Sequence, residues 1–162
     1  MEKTGARVKV RALSPDDVER VLEIQGLCPE IAQWTMWDYD RVARGEMAGW
    51  VAEEGAAAPS AGGKVAGFLV GRRIGNDLEI LNFAVTPEAR RQGIGAALLE
   101  AALEWGRSFH AEAAMLEVRA SNFAALAFYE RNRFQIVGKR PKYYTAPVED
   151  ALLLIAGLKD AQ

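Results

Sequence analysis

The stretch RRQGIGAALLEAALEWGRSF, Arg90 to Phe109, sets two arginines and two closely spaced glycines at the head of a run that reads as one helix. Just upstream, DLEILNFAV (77–85) reads as a strand stopped by Pro87. A glycine turn between a strand and a helix leaves the first-turn N–H groups pointing outward from the positive end of the helix, a geometry that attracts phosphate. Glycine lets a ligand approach the backbone, and Arg90 and Arg91 add charge at the same spot. A lone Gly-x-Gly could equally be only a tight helix entry. Two nucleotide motifs lack essential parts here. The Walker loop needs Gly-Lys-Ser/Thr, and the dinucleotide fingerprint needs a third glycine where Leu98 stands.

Outward from this turn, the chain alternates strand and helix signals. RVKVRAL (7–13) alternates like a half-buried strand, and Ser14 with Pro15 opens a helical spacing through SPDDVERVLEIQGL. A second short helix is expected from Asp40 to Glu46. AGWVAEE and KVAGFLVGRRI follow as strands joined by GAAAPSAGG, which reads as a mobile hairpin connection. The central helix is expected from Gly93 to about Arg107, with Ile94, Leu98, Ala101 and Trp105 on its apolar side. AAMLEVRA is a strand, and a helix from Asn122 to about Arg131 has Ser121 as its expected cap. FQIVGK and EDALLLIAGL close the chain as strands. This order predicts a single α/β (α+β) domain, with a mixed sheet of six to seven strands flanked by about four helices.

Composition bounds the function. The chain has 162 residues, 50% apolar and 26% charged, enough to bury a core as one domain. A net charge of −2 and a pI of 5.6 argue against a general binder of nucleic acid or membrane. The single cysteine, Cys28, forms no internal disulfide, and MEKTGARVKVRAL lacks the apolar core of a signal peptide. Both features point to a cytoplasmic setting. The longest apolar runs fall far short of the roughly 20 residues of a membrane span.

The pattern Arg90-x-x-Gly93-x-Gly95 after a strand ending NFAV resembles the acetyl-coenzyme A signature of the GNAT N-acetyltransferases. MLEVRASNFAALAFYERNRFQIVGKR extends the likeness to one branch, the ribosomal-protein-alanine (RimI-like) N-acetyltransferases. The resemblance runs from about Asp77 to Leu154 and implies the GNAT fold, acetyl-coenzyme A as cosubstrate and no metal. It also implies roles for particular residues. The backbone of Phe83, Ala84 and Val85 would hold the pantetheine arm. Arg91, Gln92, Gly93, Ile94, Gly95 and Ala96 would hold the pyrophosphate, with Arg90 as the first signature position. Asn122 would bind the cofactor arm. Tyr129, two turns on, would protonate the departing thiolate.

A phenol of pKa about 10 can donate to a thiolate whose conjugate acid lies at about 8.5, at modest uphill cost. An amphipathic tyrosine packed on the helix is the plainer reading of Tyr129. Glu117 occupies the position of the family's catalytic base, on a strand whose Leu116 and Val118 should face the other way. A structural ion pair with Arg119 is its plainer reading. Glu79, on the preceding strand, is the competing base. His110 reads as a solvated charge at a helix end and Cys28 as a packing thiol.

The acceptor is read from weaker features. Deprotonating a lysine rather than an α-amine at neutral pH costs about 3 kcal/mol more, which suits a single carboxylate to a protein N-terminus. KRPKYYTAPVEDA resembles the family's tyrosine-bearing substrate loop, so Tyr143 and Tyr144 would line the acceptor site, as would Trp34 and Trp37 from GLCPEIAQWTMWDYD. Three departures stand out. Arg133 replaces the family's glycine before Phe134, Pro141 and Lys142 interrupt the tyrosine loop, and the 26–40 segment matches loosely. A lysine or small-amine acceptor, and a non-catalytic acetyl-coenzyme A sensor, are the alternatives. Retention of both Glu117 and Tyr129 disfavours the sensor.

Overall fold

The computed structural model describes residues 8–55 and 63–158. Their elements run β1 Val8–Ala12, α1 Val18–Gly26, α2 Met36–Ala43, β2 Ala48–Glu54, β3 Lys64–Ile74, β4 Asp77–Val85, α3 Ile94–Ser108, β5 Ala113–Arg119, α4 Phe123–Arg131, β6 Gln135–Thr145 and β7 Val148–Gly157. Short 3₁₀ turns, Pro15–Asp17 and Pro87–Ala89, lead into α1 and toward α3. The seven strands form one mixed sheet in the order β1-β2-β3-β4-β5-β7-β6. β4 and β5 are parallel, and their ladder consists of two pairs, Leu78 with Ala114 and Glu79 with Met115. The expected α/β architecture is therefore present. Most of the expected 55–63 connection, residues 56–62, lies outside the described residues.

Three local expectations shift. α2 begins at Met36 rather than Asp40, because Thr35 and Asp38 form a capping box: the Thr35 Oγ1 accepts from the Asp38 N–H, and the Asp38 carboxylate accepts from the Thr35 N–H at 2.8 Å. α4 is capped by Asn122, not Ser121, since the Asn122 Oδ1 accepts from the Ala125 N–H at 3.2 Å. The inward stripe of α3 follows four-residue steps through Ile94, Leu98, Ala102 and Gly106, leaving Ala101 and Trp105 half-buried at its border.

By proximity the residues fall into two compact units, one comprising Met1–Gly71 and Asn82–Ala102, the other Arg72–Leu81 and Leu103–Gln162. In the first, β3 is buried continuously from Val65 to Gly71, as expected of a strand covered on both faces. Phe68, Leu69, Val51, Val21, Ile24 and Tyr39 are fully buried there. Each such apolar side chain contributes about 1.5–3 kcal/mol over its exposed state. Gly67 is needed at this point: a Cβ would stand 3.0 Å from the Ala84 carbonyl oxygen and 3.1 Å from Leu98 Cδ1. In the second unit, Leu78, Ala114, Leu116 and Leu154 are buried, and Tyr129 packs edge-on to Phe134 with ring centroids 5.4 Å apart.

Candidate active site

The end of β4 and the start of α3 form the candidate donor turn. Its backbone is unusual: Arg91 has φ 66° and Gly93 φ 83°. The first main-chain bond of α3 runs from the Ala97 N–H to the Gly93 carbonyl at 3.0 Å, so the N–H groups of Ile94, Gly95 and Ala96 precede the helical ladder. Gln92 and Arg91 are exposed, and Arg91 makes no ion pair among the described residues. These groups together suit a diphosphate.

Arg90, the first signature position, already has partners within the protein. Its Nε donates to the Val85 carbonyl at 3.2 Å, and its Nη2 lies 3.1 Å from Glu30 Oε1 and 3.4 Å from Cys28 Sγ. Its charge is thus already matched by Glu30. The Val85 carbonyl is likewise engaged, by Arg90 and by the Cys28 thiol at 3.7 Å. Cys28 is fully buried, as expected of a packing thiol, and burial pushes its pKa up.

Trp34 sits in a loop held from beneath. Gln25 Nε2 donates to the Trp34 carbonyl and Gln25 Oε1 accepts from the Trp34 N–H, both at 2.9 Å. The buried Tyr39 hydroxyl donates to Gln25 Oε1 and accepts from Asn82 Nδ2, which also donates to the Ala32 carbonyl at 3.1 Å. Burial drives the Tyr39 pKa well above the usual phenol value. The Trp34 ring stacks on Tyr39 with centroids 5.4 Å apart, while Trp37 is 71% exposed. Sequence reasoning missed Gln25 and Asn82. The signal was a polar residue on the inward side of an amphipathic helix and another inside a buried strand.

In the second unit, β5 alternates as expected: Ala114, Leu116 and Val118 are buried and Glu117 lies on the other face. The register places Glu117 beside Leu153 and, across β7, in line with Gly138, and Arg119 beside Ala151 and, across β7, in line with Arg140. In place of the Glu117–Arg119 ion pair, the plainer alternative for Glu117, the structure has a diagonal one, Arg140 Nε to Glu117 Oε1 at 3.1 Å. Arg119 instead pairs with Glu149 at 3.5 Å and stacks over the Tyr144 ring at 4.1 Å. Glu149 also accepts from the Ser121 N–H, and hydrogen bonding from the Ser121 side chain, then from its N–H and from Arg119, holds its pKa below the usual carboxylate range. Glu79 lies opposite Met115, on Glu117's face, and is gripped by Arg72 through both Nε and Nη2 at 2.9 Å.

Tyr129 is buried against Phe128 and Phe134, and burial drives its pKa well above the ordinary phenol value. Tyr143 and Tyr144 lie on β6, not in a loop: β6 is an edge strand that absorbs Pro141 through an irregularity between Arg140 and Tyr144. Their rings meet edge-on at 5.1 Å, and burial raises the Tyr144 pKa, with Glu117 adding to the effect. His110 is exposed, at φ 60° past the end of α3.

A model of the acetyltransferase (GNAT) family matches residues 18–134. A [ribosomal protein bS18]-alanine N-acetyltransferase of Escherichia coli is 38% identical over 94 residues, 57% of this chain and 64% of that protein. The match thus spans less than two thirds of that relative's length. An N-alpha-acetyltransferase of Sulfurisphaera tokodaii is 29% identical over 170 residues, 96% of each chain. The crystal structure of the ribosomal-protein-alanine N-acetyltransferase from Escherichia coli superposes with a TM-score of 0.76 at 25% identity, covering 96% of this chain and 97% of that one. With its seven-stranded mixed sheet, four α-helices and glycine turn at the head of α3, this chain belongs to the GNAT acetyltransferase family.

Proposed function

We propose that the chain is a single N-acetyltransferase domain that moves the acetyl group of acetyl-coenzyme A to the N-terminal α-amine of a protein, such as a ribosomal protein, by direct attack in a ternary complex. The left-handed backbone at Arg91 and Gly93 carries the donor assignment, because it frees successive N–H groups for a diphosphate. Arg91 through Ala96 hold the pyrophosphate, the backbone of Phe83 and Ala84 the pantetheine arm, and Asn122 flanks that arm. With its carbonyl engaged by Arg90, Val85 has only its N–H left to offer. The relatives that act on alanine or α-amines support the acceptor class.

Glu117 takes a proton from the acceptor ammonium, directly or through water. The freed nitrogen attacks the acetyl carbonyl carbon, the C–S bond breaks, the thiolate takes its proton from Tyr129, and the nitrogen's remaining excess proton passes through water to the phenolate, leaving a neutral amide and a restored phenol. Glu117 is preferred over Glu79 because a single contact holds it and it stands beyond the two-pair β4–β5 ladder, whereas Glu79 is gripped twice and lies within it. Trp34, Tyr143 and Tyr144 face the acceptor. The setting is cytoplasmic; no helix among the described residues is long and apolar enough to cross a membrane.

Thiol release from acetyl-coenzyme A should be followed with peptides beginning in alanine, with free lysine and with polyamines. Release with the peptides alone is expected. Release with lysine or polyamines instead assigns a side-chain or small-amine acceptor, and cofactor binding without release by any amine assigns a sensor.

A further inference from the structure

Two arginines flank Glu117, and they are held in opposite ways. Arg119 is enclosed, its side chain and that of Glu149 being 16% and 15% exposed, and it is fixed by an ion pair, by the Tyr144 ring and through Glu149 by the Ser121 N–H. Arg140 is 56% exposed and reaches Glu117 by one contact at 3.1 Å. A second seat is already beside it, since its guanidinium carbon lies 5.6 Å from the Tyr143 ring centroid. A loosely held cation therefore occupies the carboxylate that, on the function proposed above, must receive a cationic amine.

We propose that Arg140 is a positioning residue that occupies Glu117 until the acceptor arrives and is then exchanged for the acceptor's ammonium, moving to its seat over Tyr143. The exchange is balanced in charge: one cation leaves the carboxylate as another takes its place. Water carries no charge with which to displace Arg140. While the pair is closed, Glu117 does not take a proton from water, and hydrolysis of acetyl-coenzyme A to acetate and free thiol is held down. Arg140 thus favours ammonium-bearing acceptors over water and neutral hydroxyl compounds.

Two measurements test this. Arg140→Gln should lower the acceptor-peptide KM about two- to fivefold, the fold-change of a half-exposed ion pair, with the acetyl-coenzyme A KM unchanged. Acceptor-free thiol release should rise by a similar factor, and Arg140→Lys should fall between the variant and the parent. A rise in acceptor KM, a changed donor KM or unchanged acceptor-free release overturns the proposal. The second measurement needs no turnover. The Arg140 Nε–H resonance, assigned by its loss in Arg140→Gln, should leave its carboxylate-bound position in Glu117→Gln, and should leave it saturably when methylammonium is added to the parent protein. A resonance indifferent to either change overturns the proposal. A parent protein that releases no thiol with any amine refutes the acetyl-transfer reading alone, and the resonance still decides Arg140.

Discussion

The turn around Gly93 and the charged surface of β5, β7 and β6 would serve the same reaction with different parts of the chain. The turn would work chiefly through main chain: two left-handed residues, the unladdered N–H groups at the head of α3, and Arg91, a cation with no ion pair among the described residues. The surface works through side chains drawn from strands far apart in sequence, with Glu117 meeting Arg140 and Arg119 meeting Glu149. A backbone site demands particular residues at consecutive positions, because only some residues accept its dihedral angles. A side-chain site demands only that the register bring suitable groups together. The first leaves a short motif, and the second leaves scattered residues.

Substitutions can break this contrast, and the largest effect belongs to the side-chain half. Glu117→Gln should lower kcat about 10²- to 10⁴-fold with little change in acetyl-coenzyme A affinity, as loss of a general base does; steady-state kinetics with donor titration checks it. Full activity in that variant would transfer the role to Glu79. Gly93→Ala should do the reverse. A side chain at φ 83° is disfavoured by about 1–2 kcal/mol, so acetyl-coenzyme A should bind about tenfold more weakly by calorimetry, with a smaller change in acceptor KM.

The smallest effect sharpens the comparison at a left-handed residue outside both sites. Arg133 has φ 68° where the family has glycine, so Arg133→Gly should stabilise the fold by about 0.5–1 kcal/mol in denaturant unfolding, after the entropy cost of glycine is subtracted. Donor affinity should be untouched.

What was legible in the sequence follows the same division. β3, β4, β5 and α3 could be read with near-correct ends, because their apolar runs and punctuating Gly and Pro are local signals. α2 begins four residues ahead of the expected Asp40 because the Thr35–Asp38 capping box sets its start. The tyrosine segment read as a loop because Pro141 interrupts it, yet an edge strand needs no donor on its open side. Arg140 was invisible as a partner for Glu117. Its placement depends on the β6–β7 register, which shifts between Ile136 and Gly138 and again between Arg140 and Tyr144. Glu30 escaped notice for a similar reason, since its pairing with Arg90 joins residues sixty positions apart.

The buried set of Gln25, Tyr39 and Asn82 bears on how an acceptor would be met. Residues 32–34 have the outline of a surface loop, but Ala32 and Trp34 are bonded to side chains of the core. Leaving any of those polar groups unmatched costs about 1–3 kcal/mol, so the segment cannot loosen without disturbing the interior beneath it. Its conformational entropy is surrendered when the chain folds rather than when a peptide docks. An incoming N-terminus would then rest on a rigid ledge, and selectivity there would depend on the fit of the peptide's own first residues.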